Sequence, residues 1–340
     1  EGESIWRSDN DKPDFKVALT SAKTTDILAI RMLDSKGLKY FEDHNEAPLT
    51  RRRAAWYSAA TILQRAIALE LDVDSMDIEI ASVHAVTDQG GGELYLADAH
   101  PNGAGLVDSA KSQWEAILKG CLFGEGETSK MGRMIREEIE RSYTEGSEWR
   151  SPDILLQGFR NRQVHGLLDW QLGIELLASM LDANYKPGLD CVAEGKYLPF
   201  VVNETWVERA SGLVSDWKNN GLPHDSIVSE GFVHGWVKDD VFNVVVHPLW
   251  SGDAGERNAI GDAHRLAAEK GITKIRRIDS FNLSRRMLWV RANLDNQQLF
   301  IIEDVDGNSE PSRPAHIQPS LEKNVTFTDF DNLKVNEVFS

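Results

Sequence analysis

The sequence predicts a mixed α/β protein, with an N-terminal α/β domain followed by a smaller α/β lobe that contains a βαβ unit. Apolar residues alternate between a period of two and a period of 3.6 along the chain, and a break at Lys186-Pro187-Gly188 separates the two halves. The 41% hydrophobic content of the 340 residues can supply a large core. We expect a domain over residues 1–186, a lobe over 187–301 and an acidic, weakly structured tail over 302–340.

Strand and helix patterns follow one another through the first half. Residues 15–33 alternate apolar and polar side chains in two runs, which predicts two strands. Apolar residues then recur at helical spacing over 51–71, with Thr50 as the predicted N-cap. Two strand-like runs within 78–98 flank a Gly-rich turn, so they predict a hairpin, which leads into a helix over 106–118.

The later patterns predict more helix and one parallel strand pair. An amphipathic helix is expected over 131–143 and a long apolar helix over 165–181. A further helix over about 203–219 precedes two strands within 231–247. A helix and a strand within 258–279 complete the βαβ unit, whose strands should be parallel with a right-handed crossover.

Charge and cysteine content exclude several classes of protein. The net charge of −17 argues against a surface that binds nucleic acid everywhere, because phosphate binding needs clustered Lys and Arg. Cys121 and Cys191 are the only cysteines, so neither a disulfide framework nor a four-cysteine zinc site can form. No apolar run or signal pattern predicts a membrane or secreted protein, so we expect a cytoplasmic one. The start at Glu1 without Met predicts a fragment of a longer protein.

A tight turn precedes the helix predicted at 106–118. It contains Asn102, Gly103 and Gly105, and backbone N–H groups at such a helix N-terminus can hold a phosphate. The alternative is that the glycines only permit positive φ and close packing, and the local pattern favours this second interpretation.

Arginines occur in groups along the chain. Arg160 and Arg162 follow closely after Phe159. Arginines beside an aromatic ring suit single-stranded nucleic acid by charge and stacking. A capped helix start with a core Phe explains the same pattern equally well. Solvated surface charge is the simpler explanation of the remaining candidates. These weaker candidates for nucleic-acid contacts are Arg51, Arg52, Arg53, Arg276, Arg277, Arg285 and Arg286.

The order of three segments resembles the MrfA-type zinc-binding domain at the C-terminus of DEAD/DEAH helicases, which also occurs in helicase-associated antiphage proteins such as DrmB of the DISARM system and the Druantia helicase. The segments are a helix at 54–73, a strand and Gly turn at 96–105, and a stretch at 155–170, within a likeness that covers about 25–181. The resemblance implies structural roles for its motif positions. These are Asn102, Gly103, Gly105, Phe159, Asn161, His165 and Asp169.

The chain departs from this family at its metal site. Where the family has its final cysteine pair, this chain has Pro152 and Leu155, which cannot ligate zinc, so we expect no metal and apolar packing by residues 154–156. The resemblance implies a non-ATPase accessory domain that helps a helicase motor, in the same polypeptide or a partner subunit, to bind or thread DNA, chiefly a single strand, in antiphage defence. No Walker phosphate loop occurs, so ATP and Mg are expected only in that motor.

The second half permits a rival interpretation as a metal-dependent nuclease. Asp239, Asp240, His247, Asp253 and Asp279 lie near predicted strand ends, where a metal site could form. The expected Glu-x-Lys pattern is absent, and a lone His at a strand end is more often structural than catalytic. A third interpretation, a protein-interaction scaffold that docks a helicase subunit, fits the acidic surface and the Trp content.

Overall fold

Two β-sheets with helices packed on them make up the described part of this computed structural model. It comprises residues 23–42, 48–86, 91–123, 129–144, 151–190, 205–252, 258–300, 302–305 and 325–328. The predicted α/β class is confirmed. Among these residues no helix has the length and apolar character to cross a bilayer.

The described residues contain the following strands and helices. The strands are β1 Ile27–Met32, β2 Ile78–Ala85, β3 Gly92–Asp98, β4 Ser226–Glu230, β5 Val233–Lys238, β6 Val241–Val246, β7 Lys274–Asp279, β8 Ile302–Asp304 and β9 Val325–Thr328. The helices are α1 Arg51–Leu71, α2 Leu106–Ser112, α3 Trp114–Phe123, α4 Lys130–Thr144, α5 Asp153–Leu156, α6 Trp170–Leu181, α7 Trp206–Asn219, α8 Ile260–Glu269 and α9 Ser280–Asn293.

The first sheet has the strand order β2-β3-β1-β9, with antiparallel neighbours throughout. The predicted hairpin of β2 and β3 is confirmed. Helix α1 packs against the sheet through Trp56, whose indole N–H donates to the carbonyl of Tyr40 at 2.7 Å. A Cβ at Gly92, the first residue of β3, would collide with that indole, so glycine is what lets the helix approach.

The second sheet has the order β4-β5-β6-β7-β8. Strands β6 and β7 are parallel and are joined through α8, so the predicted βαβ unit is confirmed. Their register pairs Val241 with Lys274 at one end and Val246 with Asp279 at the other. The carboxyl ends of both strands therefore meet at one edge, and His247 and Asp279 lie there.

Helix α1 begins where the sequence predicts, but a different residue caps it. Thr50 is the N-cap residue, as predicted, but it has a φ of 53° and its hydroxyl donates to the carbonyl of Leu49, so it makes no side-chain cap. The buried carboxylate of Glu42 instead accepts the backbone N–H groups of Arg52 and Arg53, at 2.8 and 3.1 Å. A cap from outside the helix satisfies the same free donors that a local N-cap would.

Two other helices differ from their predicted bounds. The helix expected over 106–118 is two helices, α2 and α3, separated at Gln113. The long helix expected over 165–181 starts only at Trp170, because the buried Asp169 caps it there and residues 162–167 form a 3-10 turn. Strand β4 and helix α9 were not predicted at all.

The tail contains short strands at its described positions. Strand β8 extends the second sheet beside β7, and β9 pairs with β1 in the first sheet. These two segments differ from the weakly structured tail that the composition predicts. The first of the two strands expected within 15–33 and the rest of the tail lie outside the described residues.

One large core cluster draws residues from both halves of the chain. It runs from Leu28 in β1 to Phe281 in α9, and α6 contributes the buried Leu176 and Leu177. A smaller cluster lies beneath α7 and α9. The division into units at residue 186 remains a prediction.

Candidate nucleic-acid interface

An amide and an imidazole fold the loop between α5 and α6. The Asn161 side-chain N–H donates to the carbonyl of Leu156 at 2.7 Å, and its Oδ1 accepts the N–H of Gly158 at 2.8 Å. His165 Nε2 lies 2.8 Å from that Oδ1 and 3.0 Å from the carbonyl of Gly158. Both partners are oxygen acceptors, so Nε2 carries a hydrogen and donates. Asn161 and His165 thus hold the backbone of this loop in place.

This folding directs three side chains into solvent. Phe159 is 80% exposed, which excludes the core-Phe interpretation. The guanidinium of Arg162 lies over its ring, 5.6 Å from the centroid. Arg160 is also exposed, and its Nη1 donates to the carbonyl of Met76 at 3.2 Å. An aromatic ring flanked by two cations is thereby presented at the surface.

The same loop forms one wall of a cleft of about 470 Å³, which we call the Phe159 cleft. Helix α1 supplies the opposite wall, and the residues between α1 and β2 supply its end. The side chains that define it are Thr61, Gln64, Arg65, Met76, Glu79 and Phe159. Met76 is itself 43% exposed, so the lining of the cleft combines exposed apolar side chains with polar ones.

Arg65 and Glu79, two charged residues that line the cleft, each have a partner within the protein. Arg65 donates to the carbonyl of Gln157 at 3.0 Å. Burial lowers the pKa of Arg65, and the negative charge of Glu138 acts against this shift. On the other side, the Glu79 carboxylate is ion-paired with Lys23. These lining residues therefore present both hydrogen-bond donors and acceptors without a large excess of one charge.

Arg52 and Arg276, two of the weaker candidates, are buried. Arg52 is 1% exposed and its Nη2 donates to the carbonyl of Trp250 at 2.9 Å. Arg276 donates to Asn243 Oδ1 at 2.9 Å, and burial lowers its pKa. These guanidinium groups offer no face to a phosphate, so we remove both from the nucleic-acid candidates.

Other arginines that were predicted to contact nucleic acid instead join distant parts of the chain. Arg285 donates to the carbonyls of Gly166 and Leu168, at 3.1 and 2.6 Å, and stacks on Phe281. Arg286 donates to the carbonyl of Pro48 at 2.8 Å. The other arginines of these groups are also tied into the fold. Arg51 lies 3.3 Å from Asp279, and Arg277 donates to Ser251 and pairs with Glu303. Arg53 is half-buried, and its bond to Glu42 comes from the backbone N–H and not from the guanidinium, so Arg53 remains a candidate.

The backbone N–H groups of the Gly turn before α2 already bind a carboxylate of the protein, that of Asp98. The fully buried carboxylate of Asp98 accepts the backbone N–H groups of Ala104, Leu106 and Val107, at 2.6, 3.1 and 3.0 Å. The phosphate interpretation of this turn is therefore wrong, because its donors are used internally. The signal that could have identified Asp98 is an acidic residue at a strand end directly before the glycines.

The turn residues themselves have the backbone conformations that the packing interpretation predicts. Asn102, Gly103 and Gly105 all have positive φ, at 68°, 73° and 73°. A Cβ at Gly103 would collide with the carboxylate of Asp26. These positions are thus required by the turn and not by a ligand.

Asp169 connects the two halves of the chain. Its buried carboxylate accepts the N–H of Leu172 at 3.3 Å, which caps α6. The same carboxylate lies 3.2 Å from the buried Arg209 of α7 and 3.7 Å from Arg285 of α9. A buried carboxylate with two guanidinium partners has a structural role, as the resemblance implies.

The nuclease candidates do not come together. Asp239 and Asp240 form the turn before β6, whereas His247 and Asp279 lie at the opposite ends of β6 and β7, roughly 17–20 Å away for a six-residue strand. His247 is buried with its Nε2 2.6 Å from Glu175, and Asp279 caps α9. Within the described residues no three His, Cys, Asp or Glu side chains form a metal-binding group. Asp253 lies outside those residues.

Comparison with known families supports the resemblance for part of the chain. Residues 59–124 match the family model of the MrfA Zn-binding domain. The match spans most of α1, the β2–β3 hairpin, the Asp98 turn and α3, and it ends before the Phe159 loop. No curated protein and no solved structure matches the chain significantly. The family match supports a helicase-associated role for this region.

Cys121, inside the matched residues, and the positions where the resemblance places the metal, outside them, do not fit the zinc ion in the family's name. Cys121 is completely buried in α3, and burial raises the pKa of its thiol to about 12. Among the described residues it belongs to no group of three His, Cys, Asp or Glu side chains that could hold a metal ion. Leu155 and Leu156, at the positions expected to replace the metal, are fully buried in the main core cluster. Ile154 is 51% exposed, so the expected packing by residues 154–156 is wrong for Ile154. The donor set for zinc is not present among these side chains.

Proposed function

We propose that this chain is a non-ATPase accessory domain that binds single-stranded DNA for a helicase motor. The observation that carries the proposal is the 80% exposed ring of Phe159 between the exposed guanidinium groups of Arg160 and Arg162. A large ring gains nothing from contact with water, and its exposure beside two cations suits a partner that combines bases with phosphates.

The geometry favours a single strand over a duplex. Protruding aromatic rings stack on base faces, which are accessible in an unpaired strand and hidden in a duplex. Two arginines contribute both phosphate binding and stacking. The net charge of −17 opposes binding elsewhere on the surface, so contact would be confined to this basic site.

The helicase link rests on the family match over residues 59–124. The motor would lie in the same polypeptide or in a partner subunit, and ATP and Mg would belong to it. Antiphage defence in the cytoplasm is the setting that the resemblance implies. The Phe159 loop would guide the strand that the motor releases or draws in.

Fluorescence anisotropy with a labelled single strand tests this proposal. We expect salt-sensitive binding, and the double variant Arg160→Glu with Arg162→Glu should lower the affinity and reduce the salt slope by about 1.4. The matched control, Lys218→Glu with Arg291→Glu, changes two exposed cations elsewhere by the same charge. Absence of binding at low salt, or an equal loss in the control, would refute the proposal and favour the scaffold interpretation.

A further inference from the structure

We propose that the Phe159 cleft is a pocket for one unpaired nucleobase and that it prefers a base with an exocyclic amino group. This inference rests on the proposed function, because it specifies how the strand would be bound. The cleft volume of about 470 Å³ lies within the roughly 300–1,000 Å³ of typical small-ligand sites.

The lining of the cleft offers two apolar contacts for a flat ring. Phe159 and Met76 are among the large apolar side chains that remain exposed in the described residues, and both line the cleft. Arg162 covers one part of the Phe159 ring, and Arg160 bridges from the loop to the Met76 carbonyl. A base stacked here would have both guanidinium groups beside it, where the neighbouring phosphates would lie.

The polar side chains that line the cleft supply acceptors for a base edge. Gln64 donates its Nε2 to the carbonyl of Ile78 at 2.6 Å, which assigns the amide nitrogen and leaves Oε1 as an acceptor. Glu79 adds a carboxylate, which Lys23 holds through an ion pair. Two acceptors in one cleft require donors on the ligand, and amino groups provide them.

Arg65 adds a hydrogen-bond donor to these two acceptors. Arg65 lines the cleft and carries more N–H groups than the one that it donates to Gln157. An amino group next to a ring nitrogen, as in cytosine and adenine, matches acceptors beside a donor. Thymine presents one ring N–H between two carbonyl oxygens, which the Glu79 carboxylate would repel. Cytosine should therefore bind more tightly than thymine.

Anisotropy with labelled oligo-dC and oligo-dT of about 12 nucleotides tests the pocket, because both pyrimidine strands stack weakly on themselves. We expect tighter binding of oligo-dC. Phe159→Ala should weaken it by about 5- to 150-fold, whereas Phe159→Trp should retain binding. Phe232→Ala is the matched control, since Phe232 is also an exposed phenylalanine, at 47%. Glu79→Gln should reduce the preference for oligo-dC.

The outcomes separate this inference from the proposed function. Equal affinity for the two strands, together with a Phe159→Ala effect no larger than that of Phe232→Ala, would overturn the pocket. If the Arg160 and Arg162 double variant still weakened binding in that case, the single-strand role would stand without it. Absence of binding to either strand at low salt would overturn both.

Discussion

The carboxylate of Asp98 should make a large contribution to the stability of the first sheet and α2. Asp98→Ala would leave the N–H groups of Ala104, Leu106 and Val107 without their acceptor, and the N–H of Val107 is buried. A buried donor left unsatisfied costs about 1–3 kcal/mol, and part of the loss is recovered because water reaches the exposed Ala104 and the half-buried Leu106. We therefore expect a loss of about 3 kcal/mol in the free energy of unfolding.

Asp98→Asn should have an intermediate effect of about 1–2 kcal/mol. The amide oxygen can keep the two bonds to Ala104 and Leu106, but the amide NH2 would then face the Val107 N–H, a donor against a donor. Urea unfolding measures both variants, and the Ala variant should shift the midpoint by about 1 M.

Asp108→Asn provides the matched control for these variants. Asp108 is an exposed carboxylate in the first turn of the same helix, so its replacement should change the free energy of unfolding by less than about 0.5 kcal/mol. A loss below about 1 kcal/mol for Asp98→Ala would refute the assignment of Asp98 as the internal cap.

Three further predictions follow from buried groups. His247→Ala should lower the midpoint temperature of thermal unfolding, because it removes the partner 2.6 Å from the buried Glu175. The same variant should cause no loss of DNA cleavage, since we expect no nuclease activity from His247. Cys121 should resist alkylation at about pH 8 until the protein unfolds, since burial raises the pKa of its thiol to about 12, as peptide mass spectrometry can show. Burial also raises the pKa of Glu42 from 4.5, so the folded state retains the proton more strongly. Relative to Glu42→Gln, the wild type should therefore lose unfolding free energy as pH rises above 4.5.

Each of these predictions has an opposing result. Metal-dependent DNA cleavage that disappears in His247→Ala would restore the nuclease interpretation. Rapid alkylation of native Cys121, or near-stoichiometric zinc in the purified protein, would contradict the buried neutral thiol. A wild type that gained stability over Glu42→Gln with rising pH would show that backbone hydrogen bonds outweigh desolvation at Glu42.

Periodicity alone was sufficient for the elements with a regular apolar face. Helix α1, the β2–β3 hairpin and the parallel pair of β6 and β7 follow directly from it. Helix α9 was missed because apolar residues also lie off the face of Leu283, Met287 and Val290, such as Leu288, which is 69% exposed. Its backbone also bends at Arg286, with φ −149° and ψ 51°. The cap of α1 was missed because Glu42 is distant from the helix start in sequence.

The functional residues were harder to predict because exposure depends on tertiary packing. Phe159 could equally have been a core residue by its local pattern, and only the Asn161 and His165 contacts turn it outward. The arginine groups look alike in sequence, yet Arg52 is buried whereas Arg160 is exposed. Whether a guanidinium is buried or exposed depends on its contacts with carbonyl groups that lie far away along the chain.

The contacts of Arg285 bear on how this protein can be divided. Because α9 donates to the backbone at Gly166 and Leu168, the segment that leads back to Phe159 is anchored by a residue more than a hundred positions later. A polypeptide shortened to residues 1–186 would lack this anchor and the Arg209 partner of Asp169. The matched region and the loop that carries Phe159 are therefore best studied with the second half attached, because Arg285 of that half anchors the backbone that follows the loop.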